Sequence, residues 1–306
     1  MIRKLVPSFG MLGVALGLVF GAMAGSASAQ VFANGLNTPT GLELDTNGDL
    51  LVGSENNTQL QIVTPAGAVT TVGAAIDTPT EVIRGPDGAL YIAENATNRI
   101  LRSTDDGVTT SEYATGLSRP YGLAFGPAGE LYVANFAGGT ISVVPVGGGV
   151  ASTFATVGSL PLGLVYNGGS LYVTSVGAGE LQAVTVPGAV VSTVATGLPF
   201  PYGVTVDPSG ALYVSDYING VVRRVTLAGV TTTVASGLTR PFGIAFNSAG
   251  DLFVNERTAA RISRVDGVGA PPPAPVPTMS EWAMILLGLL LAGGAAVMIQ
   301  RRRLIA

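Results

Sequence analysis

Between residues 35 and 266 the apolar positions fall in short runs rich in Val, Thr and Tyr, separated by turn-forming residues. Residues 203–207, 211–216, 221–226 and 230–235 form one such set. The breaks between them are Asp207-Pro208-Ser209-Gly210, Ile218-Asn219-Gly220 and Ala228-Gly229, which is the chemistry of tight turns. Connections this short join antiparallel neighbours, so each set predicts a four-stranded meander. No amphipathic helix of useful length interrupts the pattern.

The set recurs. Pro39, Pro79, Pro120, Pro161, Pro201 and Pro241 are spaced by 40, 41, 41, 40 and 40 residues. A glycine follows each proline at eight or nine residues: Gly48, Gly88, Gly129, Gly169, Gly210 and Gly250. Three residues beyond it stands Leu51, Tyr91, Tyr132, Tyr172, Tyr213 or Phe253. The stretch RPYGLAFGPAGELYVAN at 119–135 returns, little changed, as RPFGIAFNSAGDLFVNE at 240–256. Six units near 40 residues, each of four strands, predict an all-β six-bladed propeller rather than a solenoid. The sixth unit has only three runs, at about 243–246, 251–255 and 261–265. Residues 31–36 match a fourth strand such as 233–238, so the N-terminal strand is expected to complete the last blade and close the ring.

Composition narrows the function classes. Charged residues make up 11% of the chain, well under the usual quarter. Residues 30–269 hold 18 acids and 10 arginines, a balance of −8, which makes nucleic acid a poor partner. Cysteine and histidine are both absent. There is thus no disulfide framework and no thiolate nucleophile, and any Ser or Thr nucleophile lacks a histidine base. Propeller lyases that depend on histidine have no counterpart in this sequence.

The two ends give an address. Arg3 and Lys4 precede an apolar run from about Met11 to Ala24, and Ala27-Ser28-Ala29 supplies small residues before Gln30. Residues 1–29 therefore read as a cleaved secretory signal peptide, the alternative being an uncleaved anchor helix. Residues 30–269 form the propeller and 270–276 a proline-rich linker. Residues 277–306 contain an uncharged stretch from Ala283 to Gln300, long enough to cross a thin bilayer, then Arg301, Arg302 and Arg303. The arginines belong on the cytoplasmic side and Trp282 at the interface, so the propeller faces outward.

Pro277, Thr278, Ser280, Glu281 and Trp282, followed by an apolar helix and the arginine cluster 301–303, resemble the IPTL-CTERM sorting signal. Val276, Met279 and Ala283 stand where that signal usually has Ile, Leu and Gly. The resemblance implies a Gram-negative bacterial protein, held at the inner membrane as a precursor. An exosortase-like enzyme then cleaves it and leaves it at the cell surface or outside. A plain C-terminal anchor is the alternative. The repeat units resemble the NHL and SMP-30/gluconolactonase group of propellers, on the residues Tyr213-Val214-Ser215-Asp216-Tyr217-Ile218-Asn219-Gly220-Val221 and on Asn98-Arg99-Ile100 after Tyr91-Ile92-Ala93-Glu94.

Antiparallel geometry places the start of each first strand and the end of each second strand on one face of the ring. The first positions are Thr40, Thr80, Tyr121, Leu162, Tyr202 and Phe242; the second are Ser54, Glu94, Asn135, Ser175, Asp216 and Glu256. Tyr121, Tyr202 and Phe242, with Asn135, Asp216 and Glu256, are the expected ligand-binding residues, beside Phe136, Tyr217, Arg119 and Arg240. Rings next to carboxylates suit a small molecule, glycan or peptide, although the same rings could equally brace neighbouring blades. Glu94, Asp216 and Glu256 are oxygen donors of the kind calcium prefers. The lactonase resemblance implies a metal-holding Asp at the end of a second strand, which Asp216 matches, and an Asn between Pro and Gly, which no unit has. Glu81 replaces the glycine in the second unit, one position away. The bland alternative is a set of polar strand ends around a wet channel. Three readings follow: an exported, non-catalytic binding propeller, a calcium-dependent lactone or ester hydrolase, and a structural component of an extracellular matrix.

Overall fold

The structure, a computed structural model, describes residues 27–269 apart from Ala74. Residues 1–26 of the expected signal peptide 1–29, the expected linker and residues 277–306, with the expected membrane helix and sorting residues, lie outside the described residues. Among the described residues no helix is long and apolar enough to cross a membrane.

Six antiparallel sheets follow the six repeat units. The innermost strand of each sheet touches the innermost strands of its two neighbours, from blade one through blade six and back to one. The chain is therefore a closed six-bladed β-propeller. Blade five runs Pro201–Val206, Leu212–Asp216, Val221–Val225 and Thr231–Ser236, within two residues of the sequence pattern. Each first strand starts on its marker proline, a place where a missing N–H costs no ladder bond. Blade six takes Pro241–Phe246, Leu252–Glu256 and Arg261–Val265 from the end of the domain and Gln30–Asn34 from its beginning. Gln30 pairs with Arg264 and Asn34 with Arg261, so the expected closure is present. Two short parallel additions were not legible: Ala27–Ser28 beside blade five and Gly149–Val150 beside blade two.

The recurring residues have separate jobs. The marker glycines turn the first strand into the second with φ between +78° and +87°, a region that costs other residues about 1 kcal/mol or more. In blade five the Asp207 carboxylate accepts from Ser209 N and Ala211 N at 2.8 and 3.0 Å and fixes that turn. The aromatic three residues later packs between blades: Tyr213 is fully buried against Phe246 of blade six, centroids 4.7 Å apart.

Blades are also stitched at the ring's centre by side chains that donate to the next blade's first strand. Thr40 Oγ1 reaches Thr80 O at 2.9 Å, Thr80 Oγ1 reaches Pro120 O at 3.0 Å, and Ser215 Oγ reaches Phe242 O at 2.6 Å. Across the closing seam Asn255 Nδ2 donates to Thr40 O at 3.2 Å and to Gly41 O at 2.8 Å.

Candidate binding site at the mouth of the ring

Three rings of equivalent positions build the mouth. The rim is the residue before each marker proline: Thr38, Thr78, Arg119, Leu160, Phe200 and Arg240. All six are non-glycine residues with φ between 43° and 58°. In blades two to six that left-handed backbone is held by a bond from the residue that follows the second strand. Asn95 N donates to Thr78 O, Phe136 N to Arg119 O, Val176 N to Leu160 O, Tyr217 N to Phe200 O, and Arg257 N to Arg240 O, at 3.0–3.2 Å. Those donors, with Glu55 in blade one, form the wall. The floor is Thr40, Thr80, Tyr121, Leu162, Tyr202 and Phe242. Space enclosed at floor level is about 20 Å3, enough for a water but not for a ligand. The mouth is therefore a dish rather than an open pore.

One side of the dish is apolar. Tyr121, Leu162 and Phe242 form a single cluster with Phe136, Val176, Tyr202 and Tyr217. Tyr202 lies 4.4 Å from Phe242 and 4.7 Å from Tyr217 between ring centroids, and Tyr121 lies 5.3 Å from Phe136. The other side is polar. Glu55 accepts from the Tyr121 hydroxyl and pairs with Arg257, so blades one, three and six meet across the dish. Burial and the Glu55 charge push the Tyr121 phenol well above its usual range, which keeps it a proton donor. The Arg257 guanidinium also lies 5.6 Å from the Phe242 ring. Arg119 lies over Phe136 at 5.1 Å and Arg240 over Tyr217 at 5.3 Å, distances at which cation and ring attract.

The second-strand ends do not join this surface. Asn135, Asp216 and Glu256, expected among the ligand contacts, are almost fully buried, as is Glu94. Each is saturated by its own blade. Glu94 takes Asp77 N at 2.7 Å, the Thr97 hydroxyl and Arg99. Asp216 takes Arg223 Nε and Nη2 at 3.1 and 3.0 Å and Asn219 Nδ2 at 2.9 Å. Glu256 takes Arg261 Nε and Nη2 at 2.8 and 2.9 Å, Thr239 N at 2.6 Å and the Ser263 hydroxyl. Asn135 accepts from Ser118 N at 3.1 Å and donates to Thr140 and Ser142. Strand alternation gives the reason: at the end of the second strand one residue turns into the blade and the next into the dish. The expected second-strand positions are the inward-turning ones, and Glu55 and Arg257, one position on, meet over the dish.

Calcium does not fit the three carboxylates expected to hold it. Glu94, Asp216 and Glu256 stand on blades two, five and six, each neutralised by an arginine of its own. Among the described residues no three acids converge on a point.

Below the floor the inner strands meet at Gly41, Gly122, Gly163, Gly203 and Gly243, with Glu81 in the sixth place. The channel then opens into a second cavity of about 260 Å3 on the far face, lined in part by Glu43, Glu81 and Arg84. Burial, reinforced by the Glu43 charge, pushes the Glu81 carboxyl up to about 8. Burial, reinforced by Asp45, pushes Glu43 up to about 7. A carboxyl raised in the fold binds a proton that the unfolded chain has already lost. Stability is then fully present below about pH 4.5, falls as pH rises, and is lowest above the folded value near 8. Glu81→Gln is expected to melt like the native chain at pH 4.5. At pH 8.5 it should melt some 4–8 °C higher, a gain of roughly 2 kcal/mol. Thermal melts at the two pH values check this, and equal shifts at both would contradict it.

The comparisons with known proteins agree with this architecture. The chain matches the model of the virginiamycin B lyase family over residues 27–285 and belongs to that family. Residues 274–303 match the IPTL-CTERM motif, a sorting signal of exported, surface-anchored proteins. Among solved structures, the chain is similar to the Staphylococcus aureus virginiamycin B lyase, solved as a catalytically inactive histidine-to-alanine variant with quinupristin. The two are 21% identical with a TM-score of 0.63, over 81% of this chain and 89% of that one. A streptogramin B lyase is 16% identical, TM-score 0.62, over 78% of this chain and 86% of its own. A gluconolactonase from Xanthomonas campestris is 17% identical, TM-score 0.70, over 78% and 89%. At these identities the likeness is one of fold. No curated protein matches the chain.

Proposed function

We propose that this protein is an exported, surface-sorted propeller that binds a ligand in the mouth dish without turning it over. The reading rests on the dish itself, where the Tyr202, Phe242 and Tyr217 rings lie beside the Glu55–Arg257 pair. Rings offer faces to an apolar or sugar surface, and the pair, with the rim threonines Thr38 and Thr78, offers hydrogen bonds. Family membership supplies a scaffold, but a fold hosts many unrelated activities. The S. aureus relative is inactive with one histidine replaced by alanine. This chain has no histidine at all, so a base of that kind is not available to it. The metal ligands that a calcium-dependent hydrolase would need, Glu94, Asp216 and Glu256, are already committed to arginines. In this scheme the signal peptide directs export and the C-terminal segment anchors a precursor in the inner membrane. An exosortase-like enzyme then releases the propeller to the surface.

Tyr202→Ala tests the site. Ligands of the native chain are first identified on a glycan and peptide array, with quinupristin as an added probe. Tyr202→Ala is expected to lose at least tenfold in affinity for whatever binds, with an unchanged far-UV circular dichroism spectrum. Undiminished binding by a folded Tyr202→Ala chain would place the ligand elsewhere and end this reading.

A further inference from the structure

We infer that the dish is selective for an acidic sugar, a uronate-bearing glycan whose carboxylates are met by Arg119 and Arg240. The inference deepens the binding reading above and rests on it. Its first support is where positive charge is left uncompensated. Of the ten arginines of the domain, seven form ion pairs: Arg84, Arg99, Arg102, Arg223, Arg257, Arg261 and Arg264. Arg224 is held by Tyr213 on blade five. Arg119, Arg224 and Arg240 are exposed with no ion pair among the described residues, and of the three Arg119 and Arg240 stand at the mouth. Both occupy the rim, at the equivalent position of blades three and six. The dish thus carries Arg119, Arg240 and Arg257 against Glu55 and the exposed Asp77 beside Thr78, a surplus of one positive charge on a domain whose balance is −8. Two arginines concentrated on the dish of an acidic molecule select for an anion that reaches it.

The second support is how the two side chains are held. Each stands on a left-handed residue, φ 51° and 53°, and each guanidinium lies on an aromatic face. Each gives one N–H to a neighbour: Arg119 Nε to Asn95 Oδ1 at 3.4 Å, and Arg240 Nη1 to the Tyr217 hydroxyl at 3.2 Å. A guanidinium has five N–H groups in a planar fork, so donors remain for a bidentate carboxylate. The backbone and the ring fix the fork in place, which reduces the entropy cost of using it.

The third support is arrangement. Blades three and six face each other across a six-fold ring, with Tyr202, Phe242 and Tyr121 between the two arginines. A ligand that crosses the dish meets a cation at each end and ring faces in the middle. An oligosaccharide with a recurring acid presents carboxylates on flat C–H faces, and its hydroxyls find Thr38 and Thr78. An acidic peptide would satisfy the arginines but leaves its backbone without the unpaired strand edge that extended peptides use.

The test uses the full-length chain in neutral detergent and three probes: oligogalacturonate, its methyl ester, and oligoglutamate. Calorimetry at low salt is expected to show oligogalacturonate binding at least tenfold tighter than the ester, with affinity falling as salt rises. The double variant Arg119→Gln/Arg240→Gln is expected to bind acid and ester within about twofold of each other. Equal affinity of the native chain for acid and ester overturns the acidic-sugar inference. If Tyr202→Ala still weakens both, the dish remains the binding site. Tighter binding of oligoglutamate than of oligogalacturonate also overturns the inference, in favour of a peptide. A preference for acid that survives in the double variant overturns the role of the two arginines.

Discussion

Glu256→Ala is expected to cost about 3–5 kcal/mol of folding stability, the range for breaking a buried ion pair by removing one partner. Its carboxylate is completely buried, and four donors converge on it from two segments, Thr239 ahead of the blade and Arg261 with Ser263 on its third strand. Burial pushes this carboxyl up, but the bonds from Arg261, Ser263 and Thr239 outweigh burial and hold it below the usual range. A depressed carboxyl contributes stability above its unfolded value, lost as pH falls through the folded one. Alanine strands the Arg261 guanidinium, leaves Thr239 N–H without an acceptor, and loosens the strand against which Gln30–Asn34 closes the ring. Urea denaturation reads the loss directly. Glu112→Ala is the control: it faces Arg99 at 3.7 Å, is mostly exposed, and should change stability by less than about 0.5 kcal/mol. The experiment also separates two views of the residue. A structural carboxylate gives the same loss with chelator or with millimolar calcium. A metal ligand would give a native chain that calcium stabilises and a variant that it does not.

The architecture was legible because a propeller writes each blade in the same local chemistry. Proline marks where a first strand begins, glycine where it turns, and an aromatic where blades pack; each job needs a particular residue at a fixed spacing. Even the closing strand could be found, since the 31–36 segment had to supply a fourth strand that the end of the domain lacked. The site was harder to read. Twelve strand-end residues were expected at the mouth, and six of them line its floor. The other six turn inward, because a single step along a strand reverses the side chain. Asp216 and Glu256 looked like ligands since carboxylates at strand ends are normally wet. Their arginine partners, Arg223 and Arg261, sit on the third strand, five to seven residues away, and nothing in a one-dimensional pattern says that the hairpin folds them together. The pairing of Glu55 with Arg257, 202 residues apart, depends on ring closure and is invisible before it.

The same closure makes one glycine a second point of high sensitivity. Gly243→Ala is expected to cost about 2–4 kcal/mol, because a methyl group there overlaps the Thr40 carbonyl oxygen of the neighbouring blade. It would also stand 2.8 Å from Leu42 N and 3.0 Å from the Gly41 carbonyl carbon, all of it backbone that cannot rotate away. Thr40 O is the acceptor that Asn255 uses to bind blade six to blade one, so the displacement breaks the seam's own hydrogen bond. Blade two shows how a side chain can be fitted at this level. There Glu81 pairs directly with Ala93, whereas the glycine blades skip from the proline to the apolar residue three positions on, as from Pro241 to Ile244. For Gly243 the same change of register would pull the first strand of blade six away from the seam that holds the two chain ends together. Gly138→Ala supplies the contrast, since its methyl would meet only side-chain atoms at 3.3–3.5 Å and should be nearly neutral. Hydrogen exchange adds location to the stability measurement. In Gly243→Ala the amides of Gln30–Asn34 and Pro39–Leu44 are expected to lose protection before those of blades three and four. Uniform loss across all six blades would mean that the ring opens as one unit and that the seam is not its weakest joint.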